Sequence, residues 1–203
     1  MSCGIRRRPA TVALSLFFLL WYCLQLAVAS HYGESTATYL FVATKPDTWP
    51  FRQIWPGLLL GPISHSLETV THVIGNVALL AILGAAIEPT IGRTRLVTLV
   101  VGMSYASTAL AHLTAPLFQS WATVGVSGGV FALMAYSGCV LWADGHVGLD
   151  EPLRSRAGLE AYFATVLVLA VPGVFLYDLV LTHNAGHVFG IFLGVLSYRV
   201  DPP

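Results

Sequence analysis

WATVGVSGGVFALMAYSGCVLWA, residues 121–143, is apolar enough to cross a membrane, yet near its start Gly125-Val126-Ser127-Gly128-Gly129 sets three glycines around one serine. A glycine inside a helix costs about 1 kcal/mol relative to alanine. A span that carries three of them beside a hydroxyl has a use for close approach at that point, and the rest of the chain indicates what approaches.

The 203 residues are 56% hydrophobic and only 10% charged, where a soluble domain carries about a quarter charged residues. This is the composition of an integral membrane protein. Net charge is zero with no basic face, so nucleic acid is not an expected partner; the lipid bilayer is. Cys3, Cys23 and Cys139 are too few and too scattered for a disulfide framework and read as free thiols. Cys-x-x-Cys, His-Glu-x-x-His and a glycine-rich phosphate loop are all missing from the sequence, so no metal and no cofactor is expected.

A spanning helix needs roughly 20 mostly apolar residues. Six segments qualify, at about 10–30, 67–88, 95–115, 122–143, 159–180 and 182–199. The first follows Arg6-Arg7-Arg8 and ends near Ala27-Val28-Ala29, a pattern shared with cleaved signal peptides, but its apolar run is long for one and a retained helix is favoured. With six spans, Arg6, Arg7, Arg8, Arg93, Arg95, Arg154, Arg156 and Arg199 fall on one side and only Lys45 and Arg52 on the other. The positive side is cytoplasmic. The expectation is therefore an all-α membrane protein of six transmembrane helices, one domain over residues 1–203, both termini cytoplasmic and an outer loop at 31–66. That loop holds Tyr32, Tyr39, Phe41, Trp49, Phe51 and Trp55 with four prolines, too aromatic for a disordered linker and suited to the membrane interface.

Polar residues within the spans gather at one level. The second span carries His72 and Asn76, the fourth Ser127, the sixth Asn184 and His187. All three spans start on the outer side, and each key residue lies about five or six positions in, roughly 8–9 Å deep at 1.5 Å per residue. His72 and Asn76, four apart, share a helix face, as do Asn184 and His187, three apart. Gly186, Gly190 and Gly194 form a ridge of the kind that lets helices meet in membranes, and Gly125, Gly128 and Gly129 do the same around Ser127. Contact between spans four and six at that level brings Ser127 Oγ within reach of a His187 ring nitrogen.

The chemistry this permits is nucleophilic. Serine needs an adjacent base, which neutral His187 supplies. Acyl transfer builds an oxyanion that wants preorganised donors; the Asn76 amide, a His72 ring N–H and the Ser127 backbone N–H are candidates. Taken singly, these residues have plainer readings. A membrane serine usually bonds its own helix backbone. His31, His65, His112 and His183 read as interfacial, His146 as solvated in a loop, and Asp178 as an interface residue rather than a third catalytic member.

Four motifs make the chain resemble the rhomboid intramembrane serine proteases over most of residues 65–197: His72-Val-Ile-Gly-Asn76; Gly84-Ala-Ala-Ile-Glu88-Pro-Thr-Ile-Gly92; Gly125-Val-Ser127-Gly128, continued by Phe131-Ala-Leu-Met; and Asn184-Ala-Gly-His187-Val-Phe-Gly190-Ile-Phe-Leu-Gly194. The resemblance implies a six-helix rhomboid-like bundle with a Ser127–His187 dyad lacking a carboxylate, His72 and Asn76 at the oxyanion, and a structural Glu88. It implies supporting parts for Gly125, Gly128, Phe131, Asn184, Gly190 and Gly194, and transmembrane protein substrates cut in or near their membrane segment. Phe131 stands where the family often has Tyr, and Trp49-Pro-Phe-Arg52 departs from the family's loop pattern. The expected location is multi-pass in the cell membrane of a prokaryote. The competing readings are an inactive relative that binds membrane clients, against which both Ser127 and His187 are retained, and a small transporter, against which the residues beyond Ser127 and His187 turn apolar.

Overall fold

The computed structural model describes residues 8–44, 55–114, 122–123, 125–143 and 185–203. The fifth expected span, at 159–180, lies outside these, as do Lys45, Trp49, Arg52, Asp178, Asn184 and Cys3. Within them the chain is helical apart from one short strand pair. Helix α1 is Pro9–Tyr32, α2 Glu34–Phe41, α3 Trp55–Leu60, α4 Val70–Val97, α5 Met103–Leu113, α6 Ser127–Ala143 and α7 Gly186–Val200. Strand β1, Ala43–Thr44, pairs antiparallel with β2, Ala122–Thr123. The outer loop is thus structured where it is described: α2, β1, α3 and a single 3-10 turn at Gly61–Ile63.

Among the described residues two helices are long and apolar enough to span a bilayer by length and composition: Pro9–Tyr32 and the continuous helical stretch Val70–Leu113. The second has two arms. Gly92 breaks it at φ 79°, a left-handed conformation that glycine adopts without steric cost. Pro89, three residues earlier, already weakens the last turn. The two arms match the expected second and third spans, and a π-helical turn at Thr98–Gly102 joins the second arm to α5.

The boundaries of spans four and six differ from the reading above. Residues 122–123 are strand, and α6 begins at Ser127; α7 begins at Gly186, so His187 is its second residue. The key residues therefore stand at helix starts, not five or six positions inside. Hydropathy does not register this, because an extended apolar segment and a helical one have the same composition.

Helix contact is closest between α6 and α7, and the reason is missing side chains. A Cβ at Gly190 would collide with the Gly128 carbonyl, and one at Gly194 with the Ala132 carbonyl. Gly129 serves a different neighbour: its Cβ would strike the Val100 carbonyl and sit 2.5 Å from Ser104 Oγ, so it admits the helix before α6, not α7. The core these contacts enclose includes Leu80, Leu83, Leu99, Val130, Leu133 and Tyr136. On the outside, Leu16, Leu20, Ile74, Ile82 and Phe192 are more than half exposed, an apolar surface that suits lipid.

At one end of the bundle Glu88 caps α1. Its Oε1 accepts the Ala10 N–H at 3.0 Å, and its Oε2 accepts the Thr11 N–H at 2.8 Å and the Thr11 hydroxyl at 2.7 Å. The first N–H groups of a helix have no partner within it and carry its positive end, and α1 has no side-chain cap of its own. Gly84 makes room, since a Cβ there would lie 2.6 Å from Thr11 Oγ1. Close by in sequence, Arg95 bonds the Tyr136 hydroxyl at 3.1 Å and the Asp201 carboxyl at 2.6 Å, tying the end of α7 to the same side. Arg8, Arg95 and Asp201 thus share one end of the molecule, opposite to Ser127.

Candidate active site

Ser127 reaches its position through a short stretch of chain held on three sides. The β1–β2 pair fixes residues 122–123, the Gly125 N–H donates to the Gly61 carbonyl at 2.9 Å, and Ser104 Oγ donates to the Val126 carbonyl at 3.1 Å while accepting the Gly129 N–H at 3.2 Å. Gly125 has φ 121°, beyond what an L side chain readily adopts. A Cβ on it would also lie 3.0 Å from His72 Cε1, 3.3 Å from His72 Nε2 and 3.4 Å from Ser127 Oγ. This glycine is therefore the gap between His72 and Ser127, and it differs in kind from Gly128, Gly190 and Gly194, which serve helix packing.

Ser127 Oγ lies 2.7 Å from His187 Nε2. The Phe131 ring, one turn along α6, sits 4.5 Å from the His187 ring at a 34° tilt and braces it from one face. Because Ser127 opens a helix, its own N–H lies among the first four that lack a helical acceptor, at the positive end of the axis. Beyond the pair the packing is apolar, with Val130, Leu133 and Met134 buried.

The opposite wall is His72 and Asn76. His72 Nδ1 accepts the Ser66 N–H over a long 3.4 Å. With Nδ1 an acceptor, a neutral ring carries its proton on Nε2, which lies 3.3 Å from where a Gly125 Cβ would stand. Asn76 is buried, and one of its amide hydrogens goes to the His72 carbonyl at 2.9 Å; the second remains for the site. Ser127, His187, Phe131, Gly125 and His72 are thus brought together, with Asn76 bonded to His72 behind them and Gly128, Gly190 and Gly194 along the helix packing beside them.

His65 corrects the sequence reading. It is 1% exposed, not interfacial. Its ring stands edge-on to those of Phe18, Tyr22 and His72, and neither ring nitrogen has a hydrogen-bond partner among the described residues. Burial, and secondarily the neighbouring His72, push its pKa down to about 3, so the ring is neutral. Sequence reasoning also passed over Gln25, Ser104 and Ser107, which are buried. The available signal was a glutamine in the middle of the apolar run Leu19–Ala29, since uncompensated polar groups are costly inside membranes.

Among the described residues no group of three or more His, Cys, Asp or Glu is placed to hold a metal ion. No curated protein matches the chain. The Rhomboid domain family profile matches residues 53–200, well over half of the sequence and the part that contains every residue of this site. The chain belongs to the rhomboid family, whose members are integral membrane proteins.

Proposed function

We propose that this chain is an intramembrane serine endopeptidase that cleaves single-pass membrane proteins in or near their transmembrane segment. The observation that carries the reading is the 2.7 Å approach of Ser127 Oγ to His187 Nε2, with His72 Nε2 across the Gly125 gap. His187 Nε2 takes the Ser127 proton as Oγ attacks the scissile carbonyl. The oxyanion is met by the Ser127 N–H, the His72 Nε2–H and the free Asn76 amide hydrogen, with the start of α6 adding its positive end. His187 then returns the proton to the leaving amine, and water, activated by the same nitrogen, releases the acyl group. No cofactor enters these steps.

Small, helix-weakening residues favour a substrate, because an intact helix hides its peptide bonds. The whole chain, 1–203, acts as one rhomboid-like domain with six spans, the fifth at 159–180, both termini cytoplasmic, in the cell membrane of a prokaryote. The shared end of Arg8, Arg95 and Asp201 and the lipid-suited exterior of α1 support that topology with the first helix retained.

The test is labelling of folded protein, in detergent and in lipid, with a fluorophosphonate probe. Labelling of the wild type that disappears in Ser127→Ala and His187→Ala is the expected result. A folded wild type that takes no label sinks the protease reading and leaves a client-binding rhomboid relative in its place.

A further inference from the structure

We propose that Gln25 is a positioning residue for the oxyanion side of this site, acting from α1 through the backbone of residues 65 and 66 on the His72 ring; the proposal rests on the protease reading above.

Gln25 is fully buried in an apolar helix, and a buried amide is costly unless its hydrogen bonds are made. Both are made to a single residue forty positions away. Gln25 Nε2 donates to the His65 carbonyl at 3.1 Å, and the His65 N–H donates to Gln25 Oε1 at 3.0 Å. This two-point clasp holds a segment that has no helix or strand of its own. One residue before it, Ser64 Oγ accepts the Trp21 indole N–H at 3.0 Å and donates to the Leu60 carbonyl at 2.7 Å. One residue after it, the Ser66 N–H meets His72 Nδ1.

The consequence follows from the imidazole tautomer. The Ser66 N–H on Nδ1 disfavours a proton there; a ring protonated on Nδ1 would face the oxyanion with Nε2 as an acceptor, the wrong sign. That bond is long at 3.4 Å, so a small drift of residue 66 is enough to weaken it. Gln25 fixes the residue next to it. The packing of Phe18 and Tyr22 against His65 holds the ring from the same helix but does not set the backbone N–H. Helix α1 contributes no atom to the reaction; it sets the direction of a donor.

The experiment is a double-mutant cycle on cleavage of a single-pass substrate with small residues in its span, in proteoliposomes, with Ser127→Ala as the blank. Gln25→Leu is expected to lower kcat about 10- to 100-fold with KM little changed, the size of loss that a misdirected or missing oxyanion donor causes. In a His72→Ala background the same substitution should have almost no further effect, because residues that act through one another are not additive. An equal fold-loss in both backgrounds, or a kcat within about twofold of wild type, overturns the proposal while leaving the protease reading intact. A wild type no faster than Ser127→Ala overturns both.

Should Gln25→Leu not fold, Gln25→Glu replaces it. Its acid form supplies the same acceptor and donor as the amide, and burial favours that form. Its kcat should therefore approach that of wild type at the acid end of the range from about pH 8 to about pH 5, and a kcat 10-fold or more below wild type at every pH in that range overturns the proposal.

Discussion

At one end of α4, Glu88 spends both carboxyl oxygens on three donors from α1 and is 2% exposed. Sixteen residues back along the same helix, about 24 Å away at 1.5 Å per residue, the His72 ring stands beside Gly125, and His65 leaves both ring nitrogens without a partner among the described residues. Both ends hold buried polar groups in an apolar fold. The Glu88 end satisfies its groups, which makes it a joint. The Ser127 end gathers Ser127, His187 and His72 instead, and the protease reading proposed above takes that end as the reaction site.

The sharpest way to break that contrast is to exchange the effects. Ser127→Ala should lower substrate turnover by about 10⁴-fold or more, with the melting temperature almost unchanged; a large loss of stability would mean that Ser127 belongs to the joint class. Glu88→Leu should do the reverse, costing about 3 kcal/mol of unfolding free energy through three lost hydrogen bonds and uncapped N–H groups. The fraction that remains folded should still cleave at close to the wild-type rate, as a titration of active sites with a fluorophosphonate would reveal.

Asn76→Ala falls between them. One amide hydrogen goes to the His72 carbonyl and the protease reading gives the other to the oxyanion, so kcat should drop about 10- to 100-fold with a stability loss near 1 kcal/mol. Chemical denaturation and kinetics on the same preparation separate the two.

His65 sharpens the contrast through pH. Its folded pKa is depressed, so below the unfolded value near 6.5 the unfolded chain binds a proton that the folded chain refuses. Stability from this group is fully present above pH 6.5 and is lost as pH falls toward about 3, at up to about 1.4 kcal/mol per pH unit. Melting curves between those limits should be flatter for His65→Leu than for wild type. The smallest effect expected is at Asp201, whose carboxylate is 69% exposed despite its 2.6 Å contact with Arg95. Asp201→Asn should cost no more than about 1 kcal/mol, and less in high salt.

Much of the site was legible in the sequence, and what was legible shares a cause. Ser127, His187, His72 and Asn76 stand out because polar groups in apolar spans are scarce, and Gly190 and Gly194 because their spacing of four keeps one helix face bare. The helix starts at Ser127 and Gly186 were not legible, since the approach through β2 is as apolar as a helix would be. Nor was the division among the glycines. Gly125 and Gly128 are three apart in a row of small residues, yet one is set by φ and the other by the close approach of Ser107 on α5, which only the backbone path distinguishes. His65 was misread because its position before α4 is that of an interfacial residue, while its burial comes from Phe18, Tyr22 and Gln25 on a helix forty residues earlier. The break at Gly92 falls between the expected second and third spans, where the arginines around it mark it in the sequence.

The pairing of Ser127 with His187 joins residues 60 apart in the chain. A ribosome adding about 5–20 residues per second therefore makes Ser127 some 3–12 s before His187 exists. Through that interval the nascent chain holds a serine with no more reactivity than any other, and inserting helices of its own and of neighbouring proteins pass it uncut. On the protease reading proposed above, with His187 on the last helix described, activity arises only as the assembly closes, and a chain abandoned before that helix is harmless to the membrane that holds it.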